Sequence, residues 1–453
     1  MIRKLNEECG IVGVYNLEKD NASEIMYYSL MTLQHRGQES AGMVVRDNGN
    51  MLIYKQQGLV QNVFEPHILS YLKGTCGIGH VRYSTCGEST PENAQPVLRK
   101  YREGKIALVH NGNIRNAKEI RHALERNGQV FTTDTDSEVV LALIISNRLI
   151  TGSIEEAVEK SMQVLKGGYS CILMTKQKIV AFKDPFGFRP LSFGKIGNGY
   201  IFASESCVME VLNAKYERYL KPGEIIVISR KGFESIETTK SKGRFCSFEY
   251  IYFSRPDSFM NGLNVSKARL NLGRQLFKEH KLMADVVIGV PDSGNTAALG
   301  YSYESGIPYN KGFVRNPYVG RTFIKPFQEE RALSVEMKLS PLTEMIKRKD
   351  VIMVDDSIVR GTTIKNLIKY LKDAGAKKVF AMISSPPVKY SCFYGIDTPK
   401  TEELLASNHS VDEIKNIIGA DGLYYLSIEG LLEALKESKL GHCIACFDGN
   451  YPI

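Results

Sequence analysis

Short apolar segments with polar edges recur through the first half of the chain, which predicts β-strands. Each segment is flanked by Gly, Asn or Asp, the residues that commonly end strands. The predicted strands are residues 10–16, 42–45, 105–109, 170–175 and 200–203. Two other stretches, residues 116–126 and 137–149, repeat their apolar residues at helical spacing. Strands before and after helices predict a layered α+β domain.

The second half of the chain repeats a unit of strand, polar loop and helix. Residues 285–291 (DVVIGVP) and 351–354 (VIMV) predict buried strands, each followed by a polar loop and a helical stretch. Residues 379–383 predict a third strand. This alternation predicts a doubly wound parallel sheet of the α/β class, whose ligands bind beyond the carboxyl ends of its strands. The Gly- and charge-rich segment 229–244 is the expected domain boundary, and we place the domains at residues 9–234 and 235–453.

Composition narrows the classes of function without identifying one. A chain of 453 residues exceeds what one hydrophobic core usually serves, so two domains are expected. The 58 basic and 50 acidic residues are mixed along the sequence without a basic patch, which argues against nucleic acid as a partner. No apolar run approaches the roughly 20 residues that cross a bilayer, and residues 1–8 lack the apolar stretch of a secretory signal. We therefore expect a cytoplasmic enzyme with no membrane partner.

Cys9 and three polar clusters form the first candidate site. Cys9 alone could be a small buried residue at the start of a strand. However, the segment GHVRYST contains Arg82, whose guanidinium suits a ligand carboxylate. The segment HNGN offers the Asn111 side-chain amide and the Gly112 N–H, which are the donors that an oxyanion needs. The segment TDTDSE places Asp136 at a helix start, either to receive a ligand ammonium or simply to cap the helix.

Together these clusters resemble the glutaminase domain of the N-terminal-nucleophile amidotransferases, a layered αββα sandwich. The resemblance runs from Cys9 to Glu234 and includes the motifs DPFGFRPL, ASES and KPGE. It implies that Cys9 attacks glutamine and that Asn111 and Gly112 stabilise the oxyanion. It also implies that Arg82 and Asp136 hold the carboxylate and the ammonium of the glutamine.

The same resemblance implies which base activates the thiol. No histidine adjoins Cys9 in the sequence. In this family the base is the α-amino group of the cysteine itself, which has an ordinary pKa of about 8. That amine exists only when the Glu8–Cys9 peptide bond has been cut, so residues 1–8 are expected to be a propeptide.

The segment VIMVDDSIVRGTT, residues 351–363, forms the second candidate site. Asp355 and Asp356 stand at the carboxyl end of a predicted strand, where they could meet ribose hydroxyls and a hydrated Mg²⁺. Gly361, Thr362 and Thr363 lead into a helix and present backbone N–H groups to a phosphate. The alternative is a solvated acidic turn that caps the helix.

This segment resembles the phosphoribosyl-diphosphate signature of the type I phosphoribosyltransferases. The resemblance implies that the acidic pair binds the ribose, directly or through Mg²⁺, and that the loop, with Arg360, holds phosphate. Ser293, in the earlier loop DSGN, would lie near the metal. Lys325, with Arg321 and Arg331, would belong to a lid over the pyrophosphate. An ordinary charged surface loop is the alternative for that lid.

Glutaminase motifs followed by a phosphoribosyltransferase motif resemble the amidophosphoribosyltransferases. That resemblance implies glutamine-dependent amination of 5-phosphoribosyl 1-diphosphate to 5-phosphoribosylamine, with release of glutamate and pyrophosphate, as the first committed step of purine synthesis. It also implies feedback inhibition by purine nucleotides and a homotetramer. Two alternatives are an amidotransferase acting on another sugar phosphate, which the acidic pair argues against, and a protein that only senses phosphoribosyl diphosphate.

Four cysteines form the last candidate site. Cys443 and Cys446 make a CxxC pair near the C-terminus, and Cys246 and Cys392 could complete a four-thiolate set. A lone CxxC is typical of zinc or redox sites. The arrangement is similar to that of the iron–sulfur kind of the family, which implies a [4Fe–4S] cluster. Structural zinc held by four cysteines is the alternative.

Overall fold

Two sheets that pack face to face organise the chain up to residue 237 in the computed structural model, which describes residues 9–15, 19–83, 90–316 and 339–452. In chain order the strands are β1 Gly10–Tyr15, β2 Ser40–Asp47, β3 Asn50–Gln57, β4 Cys76–Arg82, β5 Val97–Tyr101, β6 Gly104–Ile114, β7 Gly167–Met174, β8 Ile179–Lys183, β9 Ser192–Ile196, β10 Gly199–Ala203, β11 Lys215–Tyr219, β12 Glu224–Ser229 and β13 Gly232–Glu237. The helices are α1 Ala22–Thr32, α2 Val60–Val63, α3 Pro66–Tyr71, α4 Ala117–Arg126, α5 Asp136–Arg148, α6 Ile154–Met162 and α7 Cys207–Val211.

Alternating side chains along β1 show why this half forms four layers. Within the described ranges, one sheet has the order β11-β9-β10-β1-β4-β2-β3 and the other β13-β12-β8-β7-β6-β5. Ile11 and Tyr15 pack between the two sheets, whereas Val12 and Val14 pack on the opposite face against α1. The outer face of the second sheet is covered by α4, α5 and α6. The result is an αββα sandwich, which confirms the fold class expected for this half.

The sandwich extends into the segment that was expected to be a domain boundary. Strand β13 lies within that segment and pairs antiparallel with β12 at the edge of its sheet. The first residues of the segment therefore belong to the sandwich. The division of the chain at 234/235 stays a prediction.

A parallel sheet with helices on both faces organises the second half. In chain order the strands are β14 Phe245–Cys246, β15 Phe259–Met260, β16 Leu263–Asn264, β17 Val286–Gly289, β18 Phe313–Arg315, β19 Leu339–Pro341, β20 Asp350–Asp355, β21 Lys378–Ile383, β22 Gly422–Tyr425 and β23 His442–Cys443. The helices are α8 Val265–His280, α9 Ser293–Ser305, α10 Thr343–Ile346, α11 Thr362–Asp373, α12 Leu405–Asn408, α13 Val411–Ile418, α14 Ile428–Ala434 and α15 Ala445–Asp448, together with a π-helix Glu249–Phe253 and a 3₁₀-helix Thr401–Glu403.

Strand β20 shows how the parallel sheet is buried on both faces. The sheet order β17-β20-β21-β22 is parallel throughout. Val351 and Met353 pack with α11 and α13 on one face. Ile352 and Val354 pack with α8 and α9 on the other face. This arrangement confirms the doubly wound α/β fold. The loop that follows Asp355 therefore lies at the carboxyl edge of the sheet, where ligands bind in this fold.

Helices α8 and α9 pack unusually closely because each has a glycine at the contact. A Cβ added at Gly273 of α8 would lie 1.8 Å from the carbonyl oxygen of Ala297, and one at Gly300 of α9 would lie 2.1 Å from that of Leu270. Neither position therefore tolerates a side chain without a shift of one helix against the other. In the described ranges, no helix is long and apolar enough to span a membrane.

Candidate active sites

Cys9 lies immediately before β1 and is 7% exposed. Because Gly10 pairs with Val81 across the antiparallel β1–β4 ladder, Cys9 lies beside Arg82, the last residue of β4. The Cys9 Sγ–H donates to the carbonyl oxygen of Tyr83 at 3.4 Å. Burial raises the pKa of the Cys9 thiol to about 11, although the Arg82 charge lowers it. At neutral pH the thiol is therefore protonated and needs a base before it can attack a substrate.

No histidine among the described residues hydrogen bonds to Cys9. The Nε2 atom of His35 lies 2.7 Å from a carboxylate oxygen of Glu205. The Nε2 atom of His80 contacts the backbone carbonyl oxygen of His110 at 3.2 Å, and burial lowers the pKa of His80 well below its ordinary value. The structure therefore agrees with the absence of an adjoining histidine in the sequence.

Strand β6 presents Asn111 and Gly112 in register with Ser170 and Tyr169 of β7. Asn111 is 1% exposed, and its Nδ2 atom has no hydrogen-bond partner among the described residues. A buried donor left unpaired costs about 1–3 kcal/mol, so this amide is available to an oxygen of a ligand. Gly112 has φ +142°, and a Cβ there would lie 2.0 Å from the carbonyl oxygen of Gly168. Only glycine therefore fits at that position without a shift of the neighbouring strand.

Asp136 is the first residue of α5 and is held ionised by its surroundings. Its Oδ2 atom accepts a hydrogen bond from the Ile114 N–H at 3.0 Å, and its Oδ1 atom lies 3.6 Å from His110 Nδ1. Burial alone raises the pKa of Asp136, but His110 and the backbone donors outweigh burial, so the net pKa is lowered. The Asp136 charge also raises the pKa of the Cys9 thiol. Asp136 and Arg82 therefore lie close enough to Cys9 to share one site with it.

Helix capping, the alternative for this acidic cluster, is carried out by neighbours of Asp136. The Thr135 hydroxyl accepts a hydrogen bond from the Glu138 N–H at 3.4 Å. The Glu138 carboxylate accepts from the Thr133 N–H at 2.7 Å. The Asp136 carboxylate instead accepts from the Ile114 N–H and lies beside His110.

The acidic pair of the second site is buried, so the alternative of a solvated turn is wrong. Asp355 ends β20, Asp356 follows it, and each is 1% exposed. The hydroxyl of Ser293, the first residue of α9, donates to Asp356 Oδ2. The Ser357 hydroxyl donates to Asp356 Oδ1 at 2.7 Å. The structure thus brings Ser293 and both aspartates together at the carboxyl edge of the parallel sheet.

The loop after the acidic pair turns into a helix, as expected. Gly361 has φ +75° and directly precedes α11, whose first residues are Thr362 and Thr363. The α11 N-terminus therefore lies just beyond the acidic pair. The Arg360 guanidinium forms an ion pair with Glu403 rather than with either aspartate.

Several predicted site residues lie outside the described residues. These are the propeptide 1–8, the end of the GHVRYST segment after Tyr83, and the predicted lid with Lys325, Arg321 and Arg331.

The oxygen ligands of the second site suit Mg²⁺. Ser293, Asp355 and Asp356 offer hard oxygen atoms, and Mg²⁺ in such sites is usually held by one or two carboxylates, with waters and substrate phosphates completing its shell. Across the described ranges, no group of three or more His, Cys, Asp or Glu residues is placed to hold a metal ion by itself. A site that uses substrate oxygens does not require such a group.

The four cysteines of the last site lie close together. Cys246 and Cys443 stand opposite each other in the short parallel pair β14–β23. The Tyr394 N–H donates to Cys392 Sγ at 3.3 Å. Burial first, and then Cys443, Cys246 and Cys392, raise the pKa of Cys446 well above its ordinary value. Crowded, buried thiols of this kind are deprotonated readily only when a metal centre binds them.

Two kinds of metal centre use four cysteine thiols as ligands. A single zinc ion takes four thiolates at Zn–S distances of about 2.3 Å. A [4Fe–4S] cluster takes four cysteine thiolates as well. The four cysteines supply the sulfur ligands that either centre uses.

Sequence reasoning missed Arg36, a buried guanidinium directly behind Cys9. Its Nε–H donates to the Cys9 carbonyl oxygen at 3.1 Å. Its Nη1 atom donates to Glu205 Oε1 at 2.7 Å, and its Nη2 atom donates to Glu249 Oε1 at 2.9 Å. The sequence signal that could have found it is His35 and Arg36 in the segment QHRG, residues 34–37, which comes just after helix α1. Glu205 lay within the ASES motif, but its partner was not evident.

Comparison with known sequences finds one family model and full-length relatives. A family model described as a glutamine amidotransferase domain matches residues 80–210. The chain is 48% identical to the amidophosphoribosyltransferase of Bacillus subtilis, with 100% of this chain and 95% of that protein covered. It is 45% identical to the amidophosphoribosyltransferase of Archaeoglobus fulgidus, with 98% of each covered.

Two solved structures share the whole architecture. One is described as the allosteric regulatory enzyme of purine biosynthesis; it superposes with a TM-score of 0.92 at 46% identity, and the match covers 98% of this chain and 96% of that one. The other is described as glutamine phosphoribosylpyrophosphate amidotransferase from B. subtilis complexed with ADP and GMP. It has a TM-score of 0.91 at 46% identity, covering 98% of this chain and 97% of that one.

The raised pKa of Cys9 predicts slow alkylation in a chain that still begins at Met1. At pH 7.5 a thiol of pKa about 11 has roughly 300-fold less thiolate than an ordinary thiol of pKa about 8.5. Iodoacetamide should therefore modify Cys9 at least that many times more slowly than it modifies glutathione. The rate for Cys9 should rise about tenfold for each pH unit up to pH 9.5. Peptide mass mapping over time measures both rates. Modification of Cys9 as fast as glutathione would contradict the burial described here.

Proposed function

The chain belongs to the amidophosphoribosyltransferase family, and we propose that it joins a glutaminase site at Cys9 to an amination site at Asp355 and Asp356. The overall reaction is the glutamine-dependent amination of 5-phosphoribosyl 1-diphosphate to 5-phosphoribosylamine, the first step of purine biosynthesis. One observation carries the assignment of the two sites. A buried thiol with an unpaired Asn111 amide donor and a buried acidic pair at a parallel-sheet edge occur in one chain.

In the first proposed step, the Cys9 sulfur attacks the amide carbon of glutamine. The thiol proton passes to the Cys9 α-amino group, which is free only after residues 1–8 have been removed. With a pKa near 8, that amine is partly neutral at physiological pH and can accept the proton. The Asn111 Nδ2–H and the Gly112 N–H stabilise the oxyanion of the tetrahedral intermediate.

The intermediate then collapses with the loss of ammonia. The ammonium of Cys9 returns its proton to the leaving nitrogen, and a thioester between Cys9 and the glutamyl group remains. Water cleaves this thioester and releases glutamate, which restores the thiol. Throughout these steps, Arg82 and Asp136 hold the α-carboxylate and the α-ammonium of the substrate, so that glutamine is oriented by charge at both groups.

In the second reaction, the released ammonia attacks C1 of the ribose, and the bond from C1 to the pyrophosphate oxygen breaks. Asp355 and Asp356 bind the ribose hydroxyls, while the N–H groups at the start of α11, with Thr362 and Thr363, hold the 5′-phosphate. Arg360 and Lys325 contribute positive charge for the diphosphate. Mg²⁺ held by the aspartates and Ser293 would neutralise the charge of the departing pyrophosphate.

We further propose that Cys246, Cys392, Cys443 and Cys446 hold a [4Fe–4S] cluster. Amination at C1 exchanges no electrons, so the proposed cluster is structural. It would fasten the C-terminal segment that contains β23 to β14. The Cys246 N–H in β14 donates to the Phe188 carbonyl oxygen of the sandwich at 3.3 Å. Zinc held by the same four cysteines is the alternative.

Purine nucleotides are the proposed regulators, and a homotetramer is the proposed assembly. A nucleoside monophosphate has a ribose and a 5′-phosphate, as phosphoribosyl diphosphate does. Both groups suit the acidic pair and the α11 N-terminus, so an inhibitor could compete there. The B. subtilis structure complexed with ADP and GMP is consistent with regulators of this class.

Replacing Cys9 should separate the two reactions. Cys9→Ala removes the only proposed nucleophile, so glutamine-dependent release of pyrophosphate should be lost, while release with ammonium salts as nitrogen donor should remain near the wild-type rate. Asn111→Ala should lower kcat with glutamine by about 10²–10³-fold, as loss of one oxyanion donor does. Glutamate and pyrophosphate are measured with and without phosphoribosyl diphosphate.

The double variant Asp355→Asn/Asp356→Asn is the matched control for the second site. It should lose pyrophosphate release with either nitrogen donor. A wild-type enzyme that binds phosphoribosyl diphosphate but releases no pyrophosphate would favour the sensor alternative. Glutamine-dependent activity in Cys9→Ala would rule out Cys9 as the nucleophile.

Protein purified without oxygen should be brown and contain iron and sulfide in near-equal amounts, about four of each per chain, because four cysteine thiolates ligate one cluster. Cys443→Ser should lose both and lower the thermal midpoint of unfolding, whereas Cys171→Ser, at a buried cysteine outside the set, should keep the iron. A colourless protein with one zinc per chain would support the alternative instead.

A further inference from the structure

A cavity lies at the end of the sandwich opposite to Cys9. Strand β1 begins at Gly10, next to Cys9, and ends at Tyr15, which lines the cavity, so the two ends are about 17 Å apart. The turns of the hairpins β2–β3, β7–β8 and β12–β13 surround this cavity of about 940 Å³, which we call the distal pocket. Its lining includes Tyr15, Arg46 and Cys76 and, in the three turns, residues 48–49, 176–178 and 229–234. Small-molecule sites usually measure about 300–1,000 Å³.

The lining of the distal pocket carries an excess of positive charge. Its carboxylates are Glu155 and Glu234, and its five cations are Arg46, Lys176, Lys178, Arg230 and Lys231. Lys178 forms an ion pair with Glu155. The other four cations form no ion pair with any residue that the structure describes. A concave surface with uncompensated charge of one sign attracts ions of the opposite sign.

Arg46 is a buried cation in this lining, only 9% exposed. Its Nη1 atom donates to the Thr175 carbonyl oxygen and its Nη2 atom to Cys76 Sγ, each at 2.9 Å. The centre of its guanidinium lies 5.2 Å from the centre of the Tyr15 ring. None of these partners is a carboxylate. Buried charges in proteins are normally paired, because an unpaired one is costly. An anion in the distal pocket would give Arg46 the partner that the described chain does not provide.

Tyr15 forms a fixed floor under these cations. Its hydroxyl donates to the Gln177 carbonyl oxygen at 2.9 Å, which ties β1 to the β7–β8 turn. Burial raises the pKa of Tyr15, and the charges of Arg46 and, further down in effect, Arg230 oppose that rise. Arg230 belongs to the β12–β13 turn, whereas Arg46 belongs to β2. Cations from two hairpins therefore act on the same floor.

Gly49 brings a cation of the third hairpin to the distal pocket. It lies in the β2–β3 turn with φ +83°, and a Cβ there would lie 3.0 Å from the Lys176 side chain. The absence of a side chain at this position lets Lys176 of the β7–β8 turn lie across the neighbouring turn. Cations from all three hairpins thus converge on one cavity.

The number of charges indicates the kind of anion that fits. Five cations and two carboxylates leave three positive charges to be balanced. A single phosphate group carries at most about two negative charges. A chain of two or more phosphate groups carries enough charge, and its oxygen atoms can reach cations on different hairpins at once. A guanidinium such as that of Arg46 binds phosphate oxygens in pairs.

From this arrangement we infer that the distal pocket binds an oligophosphate, a chain of two or more phosphate groups, with Arg46 at its floor and Lys176, Arg230 and Lys231 around it. The ligand would hold the three hairpin turns together. The distal pocket shares no residue with the sites at Cys9 and at Asp355 and Asp356, so the inference does not rest on the proposed function.

Amide hydrogen exchange with and without inorganic triphosphate tests the inference at the pocket itself. Exchange in the three turns, residues 47–50, 174–179 and 229–232, should slow when triphosphate is added, because a ligand that binds only the closed turns opposes their opening. The triphosphate concentration that gives half of this protection measures the Kd of the distal pocket. Binding at the other sites does not enter this measurement. The affinity should fall as salt is added.

The double variant Lys176→Gln/Arg230→Gln removes two exposed cations and leaves the core unchanged. It should raise this Kd about tenfold, since each exposed charge contributes a few-fold. Glutamine-dependent activity should stay within about twofold of wild type. Lys118→Gln/Lys240→Gln is the matched control, because it removes the same charge at exposed positions outside the pocket. The control should keep the wild-type Kd.

Arg46→Gln should remove protection of the turns altogether; if it does not fold, the double variant decides. A second series with CTP distinguishes free oligophosphate from oligophosphate carried on a nucleoside, and protection by either compound supports the inference. No protection of the three turns in wild type with either compound would overturn it. So would an unchanged Kd in Lys176→Gln/Arg230→Gln, or an equal rise in the control. Loss of the proposed enzymatic activity would leave these measurements unaffected.

Discussion

The thiol of Cys9 is buried, and no described side chain is placed to remove its proton. Burial raises its pKa to about 11, so that only a small fraction is thiolate at neutral pH. The remaining candidate is the α-amino group of the same residue, which is a base only when the chain begins there. Much of the first site follows from this constraint. Cys9 lies at a strand start and Arg36 holds its carbonyl oxygen, which leaves the amino side for the proposed proton transfer.

A second constraint follows from burying charge at the junction of the two halves. An isolated guanidinium in a protein interior is strongly destabilising, and burial is tolerated only where each charge is paired and hydrogen bonded. Arg36 meets this condition with carboxylates that come from both halves. Loss of Arg36 would remove the guanidinium that both buried carboxylates share. The guanidinium that pairs with both halves also donates to the carbonyl oxygen of Cys9.

Lysine could not replace Arg36 in this role. A guanidinium presents five N–H donors in one plane, and Arg36 uses them towards a carbonyl oxygen and two carboxylates at once. An ammonium group is a compact charge without that fixed geometry. The same property makes arginine suited to link a backbone atom with acidic groups that approach from different directions.

Local patterns in the sequence predicted much of the fold and several residues of the two candidate sites. They could not predict which side chains pair when the residues are far apart in the sequence. Strand alternation and helical spacing depend on neighbouring residues, which is why β1, α5 and β20 were found near their observed bounds. Asp355 and Asp356 were identified because strand, acid pair and helix follow each other directly. Arg36 meets Glu205 and Glu249 across 169 and 213 residues, and no local signal specifies such pairs. The unpaired state of Asn111 Nδ2 likewise depends on residues brought together only by folding.

The intact mass of the purified, active enzyme tests whether Cys9 supplies its own base, because the proposed base exists only at a free N-terminus. Mass spectrometry and glutamine-dependent activity are measured on the same preparation. We expect a mass that lacks residues 1–8, with activity proportional to the fraction of chains that begin at Cys9. Full activity with glutamine in a preparation whose chains all retain Met1–Glu8 would contradict it.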